Sequence, residues 1–159
     1  MKTLQTWLDE YGDSHQNRTN KTIHYICVPL IYYSKVGLLM SIPLGPLKNI
    51  DQVYHVNWAI ITLIPVLFFY LRLSPKMAFA ILIYSITCIF INHQISFISE
   101  IELWLISLII FVIAWVFQFY GHKIEGKKPS FFKDIQFLLI GPAWIINSLI
   151  FNQNKTSNK

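Results

Sequence analysis

Long apolar runs separated by short polar segments dominate the pattern along the chain. Four of these runs are long enough to be membrane-spanning helices: residues 23–47, 53–71, 77–99 and 103–120. A fifth run, residues 135–151, is shorter and contains Gly141-Pro142 in its interior. It fits a re-entrant or interfacial segment as well as a full span. The pattern therefore predicts an all-α, multipass membrane helical bundle with about four spans.

The N-terminal residues follow a different, amphipathic pattern. Within residues 3–14, one helical face would carry Leu4, Trp7, Leu8 and Tyr11. This segment lacks the apolar core and the cleavage site of a signal peptide, so we expect it to remain as a short helix at the bilayer surface.

A polar turn, Q-N-R-T-N-K-T, follows this helix and separates two histidines. Thr19 or Asn20 can cap the helix that begins there. On one continuous helix, His15 and His24 would lie on opposite faces, because they are nine residues apart. We therefore expect the turn to bring both imidazoles inward.

Composition agrees with the membrane prediction. Of the 159 residues, 54% are hydrophobic and only 13% are charged, which is typical of an integral membrane protein. The formal net charge is +5, and in this setting basic residues set topology and contact anionic lipid headgroups. No nucleic-acid-binding motif is present, so we expect no nucleic-acid partner. No internal repeat is evident, which favours a single membrane domain over residues 1–159: a helix and turn (1–19), membrane helices (20–151) and a polar tail (152–159).

The distribution of basic residues predicts a topology. With four spans, one side of the membrane collects eleven of the thirteen lysines and arginines: Lys2, Arg18, Lys21, Arg72, Lys76, Lys123, Lys127, Lys128, Lys133, Lys155 and Lys159. The other side has only Lys48, while Lys35 lies near the middle of the first run. This asymmetry predicts that both termini are cytoplasmic. His55 then begins the second span on the far side.

A polar stripe lies where the fourth run meets the basic loop that we predict for residues 121–130, G-H-K-I-E-G-K-K-P-S. Offsets of four and three residues keep Gln118, His122 and Glu125 on one face of a helix. The predicted topology puts His15 and His24 at the same membrane face. Three imidazoles with a nearby carboxylate are a ligand set for a first-row metal, and open positions at such a site suit Fe(II) that activates oxygen.

Other interpretations stay open at this point. Each histidine alone is more readily an interfacial or solvated residue than a ligand. His24 and His122 could instead be axial ligands of a haem, or the protein could be a non-catalytic, lipid-binding membrane scaffold. The motifs of zinc proteases, serine hydrolases and nucleotide-binding proteins are absent from the sequence.

Several spaced motifs taken together resemble the membrane-bound 2-hydroxy fatty acid dioxygenase family of fatty acid α-oxidation. They cover nearly the whole chain: Tyr11 and His15, Asn20 and His24 with Pro29, Asn92-His93, Trp115 with Gln118-Phe119 and Gly121-His122, then Glu125, Pro129 and Gly141-Pro142. The resemblance implies an Fe(II)-dependent enzyme that uses oxygen to shorten a 2-hydroxy fatty acid by one carbon, releasing carbon dioxide without 2-oxoglutarate. It also implies a bacterial inner-membrane or endoplasmic-reticulum location, and it leaves the oligomeric state open.

The resemblance also implies roles for individual residues. The candidate iron ligands, which match the histidines of the family's motifs, are His15, His24, His93 and His122. Tyr11 and Glu125 match other polar positions of the family and are catalytic candidates. The substrate-binding candidates are Gln118, Lys127 and Lys128, because the two lysines could attract a carboxylate headgroup.

His93 does not fit simply with the other candidate ligands. If the third and fourth helices span the membrane fully, His93 lies near the opposite face from His122. Either the third helix is shallow, or His93 serves elsewhere.

Overall fold

The computed structural model describes residues 2–45, 56–126 and 131–151, and the side chains of all of these except residues 131–137. This part of the chain contains α-helices and no strand, so the all-α prediction is confirmed. Six helices follow one another: α1 (Leu4–Asp13), α2 (Arg18–Met40), α3 (Trp58–Leu73), α4 (Pro75–Ile98), α5 (Leu103–Glu125) and α6 (Phe131–Ile146). A π-helical segment, Asn147–Phe151, continues directly from α6.

Three of these helices are long and apolar enough to cross a membrane, namely α2, α4 and α5. The second predicted span corresponds to α3, which has 16 residues. At a rise of 1.5 Å per residue, such a helix is roughly 24 Å long, whereas the hydrocarbon core of a bilayer is about 30 Å thick. The count of four spans therefore stays a prediction, as does a spanning or re-entrant path for α6.

Large apolar side chains lie exposed along the long helices. Phe97 near the end of α4 is 75% exposed, and Val116 in α5 is 61% exposed. An exposed apolar helix face is unfavourable in water and favourable against lipid chains. This pattern agrees with the membrane association expected from the sequence.

The chain forms two compact units. The first contains residues 1–30 and 113–159, and the second contains residues 31–112. The helices α2 and α5 each contribute one part to each unit. The single-domain organisation expected from the sequence stays a prediction.

In the first unit, α1 packs against α6. Thr3 is the N-cap of α1: its side chain accepts a hydrogen bond from the backbone N–H of Thr6 at 3.2 Å and so satisfies one of the first N–H groups of the helix. Leu8 and Tyr11 are buried, while Leu4 and Trp7 on the same face are partly buried. A helix thus lies within the predicted residues 3–14, while its role as an amphipathic helix at a bilayer surface stays a prediction.

In the second unit, α3 and α4 form a tight helical hairpin. Ser74 ends α3 and caps α4, where its side chain accepts from the backbone N–H of Met77 at 3.4 Å. Pro75 then occupies the first turn of α4, a position at which the missing N–H costs nothing. The two helices pack against one another. A core of Tyr32, Val36, Ala59 and Cys88 fills this unit.

A buried polar contact joins helices within the second unit. Asn92 is fully buried, and its amide nitrogen donates to the carbonyl oxygens of Cys88 at 2.9 Å and Tyr33 at 3.3 Å. Its Oδ1 atom and the Ser107 hydroxyl both lie against Gly37, where a Cβ atom would collide with them. Glycine at residue 37 therefore permits a close helix crossing, as small residues do in membrane helices.

The structure corrects the predicted position of Lys35. The helix α2 ends at Met40, so Lys35 lies five residues before its end and not near the middle of a span. Proline disfavours helical geometry at its own position and at the preceding residue, and Pro43 follows shortly after the end of α2. The Lys35 amine lies 5.7 Å from the centroid of the Tyr32 ring. Near a helix end, a long side chain can extend its charge toward the membrane surface.

The helix cap before α2 also differs from the expectation. Asn17, and neither Thr19 nor Asn20, caps the helix: its side-chain oxygen accepts from the backbone N–H groups of Thr19 at 2.9 Å and Asn20 at 3.4 Å. The helix begins at Arg18, one residue before Thr19 and two before Asn20, so both predicted residues lie inside it.

Candidate metal centre

Three histidines converge within the first unit. His15 follows α1, His24 lies in the second turn of α2 and His122 lies in the last turn of α5. One ring nitrogen from each comes within 4.8 Å of the others. His15 and His24 are each 1% exposed, and His122 is partly buried. The prediction that the turn after α1 brings His15 and His24 inward together is therefore confirmed.

The three imidazole rings contact one another edge to face. Ring centroids are 4.2 Å apart for His15 and His24, 5.0 Å for His24 and His122, and 5.5 Å for His15 and His122. Two axial ligands of a haem must lie on opposite faces of a porphyrin. Rings in edge contact leave no space for that macrocycle between them, so the geometry does not favour the haem interpretation.

Hydrogen bonds fix the orientation of two of the rings. Nδ1 of His15 lies 2.6 Å from the carbonyl oxygen of Tyr11, and Nδ1 of His24 lies 3.0 Å from that of Asn20. A carbonyl oxygen only accepts, so each Nδ1 carries the proton and donates it. The lone pair of each neutral ring then lies on Nε2. This is the arrangement by which proteins usually orient a metal-binding histidine.

The donor set suits a first-row transition metal. Imidazole nitrogen binds Zn, Cu, Fe and Ni well, and three protein ligands leave coordination positions open for a substrate or for oxygen. The three side chains are close enough that small adjustments would bring their nitrogens around one ion. The residues present thus fit a metal, and their chemistry alone does not select iron.

Glu125 lies beside the three histidines but binds backbone and amide groups. Its Oε1 accepts from the N–H of Gln16 at 2.8 Å, and its Oε2 accepts from the N–H of Asn17 at 3.0 Å. Oε2 also accepts from the side-chain amide of Asn20 at 2.9 Å. The carboxylate therefore connects the end of α5 to the turn between α1 and α2.

Aromatic side chains cover one side of the histidine group. The Tyr11 ring stacks on His15 with centroids 4.2 Å apart, and Trp144 lies 5.3 Å from Tyr11 and 5.9 Å from His15. Trp144 also stacks on Tyr25 at 5.5 Å. Tyr11, 4% exposed, was predicted as a site residue, whereas Trp144 and Tyr25 were not. The sequence signal that could have identified Trp144 is its place three residues after Gly141 on a short apolar helix.

The remaining predicted site residues lie elsewhere or outside the described residues. Gln118 is 7% exposed, one helical turn before His122 on α5. His93 belongs to the second unit and is exposed, and its ring packs edge-on against Phe97 at 4.8 Å. Its assignment as a metal ligand stays a prediction. Lys127 and Lys128 lie outside the described residues, and so does His55.

Comparison with known proteins gives a match that includes all three histidines. A family model described as "2-hydroxy-palmitic acid dioxygenase Mpo1-like" matches residues 1–153. The curated protein 2-hydroxy-palmitic acid dioxygenase MPO1 of Saccharomyces cerevisiae (strain ATCC 204508 / S288c) is 27% identical over 150 residues. The match covers 93% of this chain and 80% of that relative. No solved structure matches the chain.

Proposed function

Because the chain belongs to the Mpo1-like family, we propose that it is a non-haem, Fe(II)-dependent dioxygenase that shortens a 2-hydroxy fatty acid by one carbon. The observation that carries this proposal is the group of three convergent histidines, two of which, His15 and His24, are buried. In both of these, a hydrogen bond from Nδ1 to a backbone carbonyl leaves the lone pair on Nε2, where it can bind a metal. The name of the yeast relative supports the substrate class and the use of oxygen.

The proposed reaction balances without an additional reductant. A 2-hydroxy acid, R-CH(OH)-COOH, and one O₂ give the shortened acid R-COOH, CO₂ and water. The bond between the carboxyl carbon and C2 breaks, C2 becomes the new carboxyl carbon, and the substrate supplies all four electrons that reduce O₂. A bound Fe(II) would supply the means of activating oxygen and a position for the carboxylate and hydroxyl of the substrate.

The protein's own residues then have distinct functions. His15, His24 and His122 hold the metal, and backbone carbonyls keep the first two rings in the required tautomer. Tyr11 and Trp144 cover the group with apolar surface, which limits access of bulk water. We propose that the acyl chain lies in the lipid phase beside the apolar helices, while Lys127 and Lys128 attract the carboxylate.

We also propose that the chain crosses the membrane four times with both termini in the cytoplasm. Three described helices are long enough to span, and the basic residues fall almost entirely on one side of that topology. A cysteine introduced as Lys127→Cys should react with a membrane-impermeant maleimide only from the cytoplasmic side. Labelling from the outside alone would contradict this topology.

The activity is tested with the protein in detergent or lipid nanodiscs. Supplied with 2-hydroxypalmitate and oxygen, the wild-type protein should form the fatty acid with one carbon fewer and consume one O₂ per product. Palmitate, which lacks the 2-hydroxyl, should not react, and His122→Ala should be inactive while remaining folded. Absence of product from metal-loaded wild-type protein would overturn the proposal and leave the lipid-binding scaffold. A Soret band in its absorption spectrum would instead support the haem interpretation.

A further inference from the structure

We propose that Asn20 and Glu125 form a clamp that holds the three histidines together, and that Glu125 is a positioning residue in this site. Glu125 would then be neither a metal ligand nor a group that exchanges protons with the substrate. This inference rests on the proposed function only in taking the three histidines as metal ligands. The contacts of the clamp itself are independent of that assumption.

The first step is the set of donors that surrounds the Glu125 carboxylate. Three N–H donors occupy its two oxygens: the backbone of Gln16, the backbone of Asn17 and the side chain of Asn20. Hydrogen bonds to an ionised acceptor are about twice as strong as neutral ones. Among the described residues, the group of possible ligand atoms that lie within 4.8 Å of one another consists of the three histidines and does not contain Glu125. Both oxygens of the Glu125 carboxylate therefore already accept hydrogen bonds from the protein.

The second step is where those donors lie along the chain. Gln16 and Asn17 directly follow His15, and Glu125 follows His122 by three residues on α5. The carboxylate thus connects the segment that carries His15 to the helix that carries His122. It also lies at the N-terminus of α2, where the helix dipole favours a negative charge.

The third step is the position of Asn20, which contacts groups near both His24 and His122. Its backbone carbonyl accepts from Nδ1 of His24, and its side-chain amide donates to Glu125. Its Oδ1 lies against the backbone of Gly121, where a Cβ atom would collide with it, and Gly121 is the neighbour of His122. Asn20 is itself fully buried. Asn20 and Glu125 together therefore link all three histidine-bearing segments.

Exchanging the two partners tests the clamp without removing it. In Glu125→Gln, the new amide hydrogens must face either the Asn20 amide or the backbone N–H groups, so one donor meets another. Adding Asn20→Asp supplies an acceptor for the Gln amide and restores the pairing. Asn20→Asp alone puts two carboxylates in contact and should also weaken the site.

Co²⁺ binding to the full-length protein in detergent provides the first readout. Glu125→Gln should weaken Co²⁺ affinity by about 10-fold to 100-fold, the usual cost of losing a group that supports metal ligands. The double variant Asn20→Asp/Glu125→Gln should recover most of that loss. At saturation, the visible spectrum of bound Co²⁺ should match the wild type in every variant, because the ligands are unchanged. The matched control is Glu10→Gln, which removes a surface ion pair between Glu10 of α1 and Lys2. It should have no effect on Co²⁺ affinity.

Two results in this experiment would overturn the clamp. An altered Co²⁺ spectrum in saturated Glu125→Gln would identify Glu125 as a ligand. Wild-type affinity in Glu125→Gln, or no recovery in the double variant, would show that the pairing with Asn20 does not position the site.

A metal-free readout separates this inference from the proposed function. Arg18 is exposed beside the clamped turn, so trypsin cleavage after Arg18 reports release of that turn. In EDTA, Glu125→Gln should be cut several-fold faster than the wild type, and the double variant should return toward the wild-type rate. Equal rates in all three proteins would overturn the clamp even if metal binds. If the wild type binds no Co²⁺, the proposed function fails, and the cleavage rates still decide the clamp.

Discussion

Two buried asparagines make nearly the same packing contact in the two units of this protein. Asn20 and Asn92 are both fully buried, and each lies with Oδ1 against a glycine of another helix, Gly121 or Gly37. Neither Oδ1 atom has a hydrogen-bond partner among the described residues. Within the described part of the chain, the amide of Asn92 donates to the backbone carbonyls of Cys88 and Tyr33, whereas that of Asn20 donates to the Glu125 carboxylate.

The surroundings of the two asparagines separate their functions. The histidine group lies around Asn20, and among the described residues no group of possible metal ligands includes a residue of the second unit. Asn92 instead joins α2 and α4, which also contact one another through the apolar core and through a hydrogen bond between the Tyr32 and Ser85 hydroxyls. A buried polar residue in a membrane helix therefore does not by itself indicate chemistry. The groups to which it is connected distinguish a site from a packing contact.

The largest effect that should distinguish the two units comes from their histidines. His24→Ala should abolish product formation from a 2-hydroxy fatty acid, because it removes one of three convergent ring nitrogens. His93→Ala should retain the bound metal, since the three histidines of the first unit form a group without it. Product analysis and metal content of both variants are the measurements, with size-exclusion profiles in detergent as the control for folding. Loss of metal from His93→Ala would restore His93 as a ligand, as the family resemblance implied.

An intermediate effect should come from adding one methyl group at each glycine. In Gly121→Ala the new Cβ displaces Asn20, so metal affinity should fall by about 10-fold to 100-fold if the Asn20 contacts support the ligands. In Gly37→Ala it displaces Asn92, and overpacking should cost about 1–3 kcal/mol of stability without changing metal affinity in the folded protein. Metal titration and thermal unfolding of both variants check this. Equal effects on metal affinity would show that the two contacts are not functionally different.

The sequence predicted the helices and the three histidines well, for a physical reason. Apolar runs of membrane length and an amphipathic repeat depend on local pattern, and α1, α4 and α5 follow them closely, whereas α2 ends at Met40 and not at residue 47. His15, His24 and His122 each lie at the polar end of such a run, so a common membrane face brought them together in the prediction.

Other features of the site depend on contacts between residues that are distant in sequence. Nothing local shows that Glu125 binds the backbone of residues about 110 positions earlier, or that Trp144 stacks on Tyr25. The cap at Asn17 and the position of Lys35 near a helix end were missed because both depend on where a helix begins or ends. Sequence patterns locate such boundaries only to within a few residues.

The smallest effect should come from Lys127 and Lys128, which lie outside the described residues. Lys127→Gln combined with Lys128→Gln should raise KM for a 2-hydroxy fatty acid by several-fold and leave kcat nearly unchanged. Remote charges attract the carboxylate but take no part in bond cleavage. The rise in KM should shrink as salt is added, since salt screens exposed charges. An unchanged KM at low salt would assign these lysines to topology alone.

Metal analysis of the anaerobically purified protein tests the central claim most directly. The wild type should contain one iron per chain, whereas His15→Ala, His24→Ala and His122→Ala should each lose it while remaining folded in the membrane. His55→Ala, which the predicted topology assigns to the opposite membrane face, should keep it and serves as the control. If all three variants of the histidine group keep iron at the wild-type level, or if the wild type binds none after reconstitution, the three histidines are not a metal centre.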